Sequence, residues 1–107
     1  MEAVEVNGYE IGPGAFLIGV DFFKASLVGA NLQGANLVDA NFGWADLEGA
    51  NLCGANLDGT DLTGANLCGA NLDGASLAGT DLDGARGNAV TVWPDGFDPE
   101  ATGVIFE

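Results

Sequence analysis

A five-residue word repeats fourteen times without a gap between Ala15 and Gly84. The word reads Ala-Asn/Asp-Leu-x-Gly, as in residues 30–34 (ANLQG) and 70–74 (ANLDG). Five residues of α-helix advance the face by about 140°, so the leucines would form no stripe. A flat strand alternates faces with a period of two, so successive leucines would point to opposite sides. The period therefore excludes both structures as a framework.

A chain that turns a corner after each word keeps every central Leu or Phe on one side. Four words then close a square coil of twenty residues, and coils stack about 4.8 Å apart through ladder-type hydrogen bonds. Fourteen words give about three and a half coils, a rod about 17 Å long at that spacing. The pattern predicts an all-β fold, a quadrilateral parallel β-helix, in which each unit contacts its neighbours.

Each position of the word has a distinct expected role in this solenoid. The central Leu or Phe fills the shaft, and its burial contributes about 1.5–3 kcal/mol. Ala points inward near the corner, whereas Asn or Asp and the variable fourth residue point outward. Gly is the third residue of a type II turn, which needs φ > 0. Because Lys24, Asp39 and Trp44 replace this Gly, their corners are expected to depart from type II geometry.

Residues twenty apart are expected to be stacked neighbours. Phe22 and Phe42 both replace the central Leu, so their rings should touch in one column. Lys24 lies one coil from Trp44 in another column. Two readings of that pair remain open, a cation–π contact and two side chains that never meet.

The repeated word resembles that of the pentapeptide-repeat family, and the resemblance covers 70 of the 107 residues (15–84). The tail at 93–99 (WPDGFDP) also looks like the capping tail of cyanobacterial members. The resemblance implies a right-handed quadrilateral β-helix. Most members of the family have no assigned biochemical function, and a minority bind DNA gyrase as rod-shaped mimics of the DNA duplex.

Both ends of the solenoid require caps, because open ladder edges invite aggregation. Residues 1–14 are predicted to form an N-terminal cap, a β-hairpin in which Asn7-Gly8 joins strands at 3–6 and 9–11. Residues 15–84 form the β-helix, and residues 85–107 form a C-terminal cap. In that cap we expect a last strand at 89–92, Trp93 and Phe97 plugging the shaft, and one helical turn from Asp98 that Gly103 closes. Residues 104–106 should pack back on the rod or contact another chain.

The net charge is −14, because two basic residues face sixteen carboxylates. Direct nucleic-acid binding is not expected, since it depends on Lys and Arg meeting phosphates. No apolar run approaches the roughly 20 residues of a membrane span, and the acidic start lacks a signal-peptide pattern. We expect a cytoplasmic protein with no membrane contact, a protein partner, and a monomer or weak dimer.

Catalytic, cofactor and metal sites are not expected. The chain has no His, and no Ser or Cys has a plausible base partner. Cys53 and Cys68 lie three quarters of a coil apart and are expected to be free thiols. Asp61, Asp81 and Asp83 should share one face, which leaves a cation-binding scaffold open, although solvated carboxylates are favoured.

Apolar residues at outward positions near the N-terminal end define a possible interaction patch: Ile18, Phe23, Val28, Val38 and Trp44. A clustered exposed apolar patch can mark an interface. The alternatives are that a cap covers it and that Phe23 only shields Gly43. The favoured function is a non-catalytic structural or protein-interaction module. The alternatives are an acidic DNA mimic that binds gyrase or another DNA-handling protein, and a cation-binding scaffold.

Overall fold

Parallel ladders join residues twenty apart along the repeat. In the computed structural model, which describes residues 4–107, Asn36 bridges Phe16 on one side and Asn56 on the other. Three further columns of parallel bridges start at Asp21, Ser26 and Asn31. Four words therefore separate bridged partners, and the expected stacking of residues twenty apart is observed.

Backbone hydrogen bonds run between successive twenty-residue units and across each corner. The N–H of Leu37 donates to the carbonyl of Asn56 at 2.8 Å, and the N–H of Asn36 donates to Ala15 at 2.9 Å. Within the corner, the N–H of Ala40 donates to Leu37 at 3.0 Å. Words that have a neighbouring unit on each side thus pair most of their polar backbone with those units, as buried backbone requires.

The central side chains of the words form one continuous core. All of them except Leu77 are at most 5 % exposed. The rings of Phe22 and Phe42 lie with centroids 5.2 Å apart, which confirms their predicted contact. Thr60 stands in place of the usual Ala, is fully buried, and donates its hydroxyl to the carbonyl of Leu37 at 2.7 Å.

The corners keep one geometry throughout the repeat, including those that lack Gly. The corner glycines have φ between 67° and 71°, the sign that the third residue of a type II turn requires. Lys24, Asp39 and Trp44 have φ of 60°, 60° and 57°, so the expected departure from this geometry is wrong. The N–H of Trp44 still donates to Thr63 at 2.8 Å. Such ladder bonds hold a conformation that costs an L-residue about 1–2 kcal/mol.

The outward Asn and Asp residues have a structural role that the sequence reasoning missed. Their Oδ1 atoms accept the N–H two residues later, as in Asn31 with Gln33 at 3.2 Å and Asn71 with Asp73 at 2.9 Å. This bond supports the turn that follows it, because a short side-chain acceptor can replace a backbone one.

The N-terminal end carries a β-hairpin of β1 (Val4–Val6) and β2 (Tyr9–Ile11), paired antiparallel. Asn7 and Gly8 join the strands with φ of 53° and 83°, as a type I′ turn requires. The Tyr9 ring meets the Phe22 ring edge-on at 5.5 Å, which seats the hairpin on the core. Ala3, the predicted first strand residue, lies outside the described residues.

The C-terminal end departs from the prediction of a strand at 89–92. Ala89 and Val90 lie in a turn, and only Val92 makes a bridge, to Asn71. That pair is twenty-one residues apart instead of twenty, because one extra residue is taken up in the turn that Thr91 closes on Asn88. The strand lies earlier, where β3 (Arg86–Gly87) pairs in parallel with β4 (Ile105–Phe106).

The end of the shaft is closed by aromatic residues. Trp93 and Phe97 stack with ring centroids 5.6 Å apart and pack against the core, and Val104 is buried beside them. A 3₁₀ turn spans Glu100–Thr102 and ends at Gly103 with φ of 89°. Its N-cap is Pro99 and not Asp98, where the turn was predicted to begin. No helix within residues 4–107 has the length and apolar character needed to cross a membrane.

Candidate functional site

The five residues of the predicted patch are divided among neighbouring columns. Ile18, Phe23, Val28 and Trp44 are 45 %, 46 %, 57 % and 60 % exposed, whereas Val38 is half-buried. Ile18 and Val38 occupy one column, Phe23 and Trp44 lie along the next corner, and Val28 lies on a third face, as the register shows. Each of the first four remains largely open to solvent.

The Phe23 ring covers the backbone of Gly43, one unit further along the rod. A Cβ added to Gly43 would lie 3.0 Å from Cδ1 of Phe23, closer than ordinary packing allows. The shielding role considered for Phe23 is therefore observed. The ring still remains nearly half exposed, so shielding and availability for binding are compatible.

The Trp44 ring makes the equivalent contact with Gly64. A Cβ on Gly64 would lie 2.5 Å from Cδ2 of Trp44, so the indole rests directly on the glycine backbone. We call Phe23 and Trp44 the aromatic ridge. The ridge is a pair of exposed rings, each lying over a glycine that leaves space for it.

Of the two readings left open for Lys24 and Trp44, the structure supports the one without a cation–π contact between them. Lys24 Nζ lies instead 5.4 Å from the centroid of the adjacent Phe23 ring. The reason is the direction of the indole, which extends toward Gly64 and hence away from the unit that holds Lys24. The only other basic residue, Arg86, lies 3.3 Å from Glu107.

Further apolar side chains are exposed near the hairpin and were missed by the sequence reasoning. Phe16 is 77 % exposed, and Val4 and Tyr9 are also open to solvent. Phe16 occupies the Asn position of its word, which points outward, so its exposure was readable from the repeat. At the other end, the exposed apolar residues are Val90, Val92, Ile105 and Phe106.

The carboxylates predicted to cluster are committed mainly to their own turns. Asp61 and Asp81 are bridged neighbours. Their Oδ1 atoms accept the backbone N–H of Thr63 at 2.9 Å and of Asp83 at 3.0 Å. Within residues 4–107, no group of three or more His, Cys, Asp or Glu side chains is arranged to hold a metal ion.

Cys53 and Cys68 are free, half-buried cysteines. Burial is the main cause that raises the pKa of the Cys68 thiol above its ordinary value, and the Glu107 carboxylate adds to it. A thiol that stays protonated is a poor nucleophile, so Cys68 is placed unfavourably for covalent chemistry near neutral pH.

Comparison with known proteins gives matches to one family. The family model described as Pentapeptide repeats matches residues 15–54, 35–74 and 53–86. A pentapeptide repeat protein from Nostoc PCC 7120 has a TM-score of 0.68 and 34 % identity, over 88 % of this chain and 82 % of that one. HetL, a pentapeptide repeat protein involved in heterocyst differentiation regulation in Nostoc sp. PCC 7120, has a TM-score of 0.54 and 31 % identity, over 86 % of this chain. This chain covers 55 % of HetL, and the curated proteins give no significant match.

These matches agree with the geometry of the repeat. The matched residues 15–86 are those that carry the twenty-residue bridges and the left-handed corners. The relatives imply a right-handed β-helix solenoid. The repeat, its register and the similarity to solved relatives together show that the chain belongs to the pentapeptide-repeat family.

Proposed function

We propose that this chain is a non-catalytic protein-interaction module and that the aromatic ridge of Phe23 and Trp44 is its binding surface. The observation that carries the proposal is Trp44, which is 60 % exposed with φ of 57°. A bulky residue with positive φ is an outlier that invites a functional explanation. Glycine occupies the equivalent corner one twenty-residue unit further along, at Gly64, where φ is 67° and a positive φ carries no strain.

The chemistry of the ridge suits recognition of another protein. Trp is among the residues that contribute most to binding energy at protein interfaces, since its large rigid ring loses little conformational entropy. The ridge stands on a backbone that is hydrogen-bonded to both neighbouring units, because the carbonyl of Gly43 accepts from the N–H of Lys24 and the N–H of Trp44 donates to Thr63, at 2.8 Å in both cases. Ile18, Val28 and Val38 extend the proposed surface onto the neighbouring faces.

The same proposal includes the finer architecture. We take four words to close one quadrilateral coil, with about three and a half coils between a cap at 1–14 and a cap at 85–107. The support is that bridges recur every twenty residues in four columns. A rod built in this way presents the ridge at a fixed corner, which lowers the entropy lost when a partner binds.

A DNA mimic remains the second candidate, favoured by the net charge of −14 and an elongated shape of 37 × 23 × 21 Å. At about 3.4 Å per base pair, that length corresponds to roughly eleven base pairs. The carboxylates do not follow two tracks, however, since Asp46, Asp58, Asp61 and Asp73 occupy four different faces. A gyrase supercoiling assay tests this candidate, and inhibition at micromolar protein would favour it over the interaction module.

The proposal is tested with a ridge variant and a matched control. We expect Phe23→Ser/Trp44→Ser to lose a partner that the unchanged protein captures from a lysate of the source organism. Val90→Ser removes an apolar side chain that is 68 % exposed at the opposite end, so it should retain the partner. Melting curves establish that all three proteins are folded. Capture of the same proteins by the ridge variant would refute the assignment of the ridge.

A further inference from the structure

The first twenty-residue unit leaves part of its hydrogen-bonding edge open. Among the hydrogen bonds between residues 4–107, none uses the N–H or C=O of Ser26 or Asn31, or the C=O of Val28. On the adjacent side, the hairpin does reach the edge, because Asn7 Nδ2 donates to the carbonyl of Asp21 at 3.3 Å. The hairpin therefore covers one side of the first unit, and no strand within the described residues 4–107 pairs with the other side.

The next unit shows which bonds this edge is able to make. There, Asp46 donates its N–H to Ala25 at 2.9 Å and accepts at its C=O from Leu27 at 2.7 Å. Glu48 accepts at its C=O from Gly29 at 2.8 Å. By the same register, a strand added to the first unit would accept from the N–H of Ser26 and would donate to the carbonyls of Ser26 and Val28.

An apolar cavity of about 560 Å³ lies beside these open groups. Val4 and Val6 of β1 and Ile11 of β2 form one wall, and Ser26, Val28 and Asn31 form the other. The volume is within the range of about 300–1,000 Å³ that is typical of ligand sites. We call this cavity and the open edge together the edge groove.

We propose that the edge groove binds an extended segment of a partner polypeptide as an added parallel strand, and that this segment carries Lys or Arg on either side of one apolar residue. Strand addition uses main-chain bonds for affinity and pockets for alternate side chains. The inward side chain of the segment would meet the apolar walls. The two flanking side chains would point outward, above the columns that contain Asp46 and Glu48.

Charge selects a basic partner over a second copy of this chain. The protein carries sixteen acidic and two basic residues, so two copies repel one another. A basic segment is attracted by the same field. The inference rests on the proposed role in protein interaction, but it uses the open edge instead of Phe23 and Trp44 and shares only Val28 with the extended surface proposed above.

The test uses defined peptides with the full chain. The probe is acetyl-Ala-Lys-Leu-Lys-Gly-amide, which follows the chain's own word but has Lys at both outward positions. We expect its titration to shift the amide NMR signals of Ser26, Val28 and Asn31 while leaving that of Trp44 in place. Methylating the Leu nitrogen of the probe removes the donor to Ser26 and should weaken binding about fivefold, as the loss of one hydrogen bond implies. The control peptide acetyl-Ala-Asn-Leu-Asp-Gly-amide has Asn and Asp in place of the two Lys residues, and it should bind at least tenfold more weakly than the probe.

Protein variants separate the open edge from its surroundings. Ser26→Pro removes the N–H donor at a position where an edge strand tolerates Pro, and it should weaken binding, whereas Ser26→Ala should not. Val28→Lys adds a positive charge to the exposed wall of the edge groove and should weaken binding of the basic probe. It supplies a second variant if Ser26→Pro does not fold. Trp44→Ser should leave the peptide affinity unchanged, so this result stands apart from that of the aromatic ridge.

Four outcomes would overturn the proposal. They are shifts confined to the aromatic ridge, equal binding of the basic and acidic peptides, unchanged binding by both Ser26→Pro and Val28→Lys, and binding only after residues 1–3 are removed. The last outcome would identify the chain's own N-terminus as the occupant of the edge groove.

Discussion

Replacing Gly64 by Ala is expected to destabilise the protein more than the same change at Gly54. Both glycines have φ of 67°, so alanine is strained to a similar extent at either site. A Cβ on Gly54 would find nothing within 4 Å, whereas a Cβ on Gly64 would lie 2.5 Å from Cδ2 of Trp44. The comparison therefore isolates the contact between Gly64 and the indole.

The size of the difference follows from the burial of Trp44. The shared cost of a left-handed Ala is about 1–2 kcal/mol. Trp44 is 60 % exposed, so two fifths of a side chain that can bury up to about 250 Å² rests on the rod. Losing that contact of about 100 Å² costs up to about 2.5 kcal/mol at about 25 cal/mol per Å². We expect Gly54→Ala to cost about 1–2 kcal/mol and Gly64→Ala up to about 3.5–4.5 kcal/mol.

Urea unfolding followed by circular dichroism measures both values, and tryptophan fluorescence reports the displaced indole. The chain has two Trp residues, so a Trp93→Phe background assigns the signal to Trp44. In a Trp44→Gly background, the extra cost at Gly64 should disappear, and both alanines should become equivalent. Equal costs at Gly54 and Gly64 in the unchanged background would refute the packing of Trp44 on Gly64.

Three further predictions follow from single contacts. Lys24→Gly should raise the free energy of unfolding by about 0.5–1 kcal/mol, since relief of left-handed strain exceeds the added flexibility of unfolded glycine; destabilisation in urea would contradict it. Thr60→Val should lower the free energy of unfolding by about 1–3 kcal/mol, because its methyl group would crowd the Leu37 carbonyl, which now accepts the Thr60 hydroxyl at 2.7 Å. Thr60→Ala should cost less. A calorimetric melt in which Thr60→Val is the milder change would show that the hydroxyl bond is absent. The pKa of Cys68 is raised in the folded state, so the contribution of its protonated thiol to the free energy of unfolding is complete below about pH 8.5, the ordinary thiol value, and is lost as pH rises through the folded value. In urea unfolding at alkaline pH, the unchanged protein should therefore lose more stability than Cys68→Ala. An equal loss in both proteins would contradict this.

Much of the fold was predictable because its information is local and repeated. The period of five placed Phe22 and Phe42 in contact, and their rings are 5.2 Å apart. The Asn7-Gly8 pair between apolar residues predicted the hairpin, since few other residues adopt two positive φ values in succession. The hairpin followed from adjacent residues, and the ring contact followed from the twenty-residue register alone.

The departures occurred where neighbouring units override local preference. Lys24 and Trp44 disfavour positive φ by themselves, yet each N–H is held by the next unit, at 2.8 Å in both cases. The strand predicted from apolar residues at 89–92 is a turn instead, because Asn88 and Thr91 bond to each other and take up one extra residue. Propensity is a weak guide when several hydrogen bonds already determine the backbone.

The candidate surfaces were likewise predictable in part from the sequence. The sequence established that Phe23, Trp44 and Val28 point outward, because the position in the word decides the side of the backbone. It left open the direction of each ring, which depends on the space above Gly43 and Gly64.

By itself, then, the sequence determined the repeat, its register and the inward or outward side of each residue, all of which follow from a turn recurring every five positions. Only the tertiary structure decided that the indole lies on a glycine backbone and that, among residues 4–107, backbone groups of Ser26, Val28 and Asn31 stay without a partner beside a cavity. Those features depend on how unequal neighbours and chain ends fill space, which a periodic pattern does not specify.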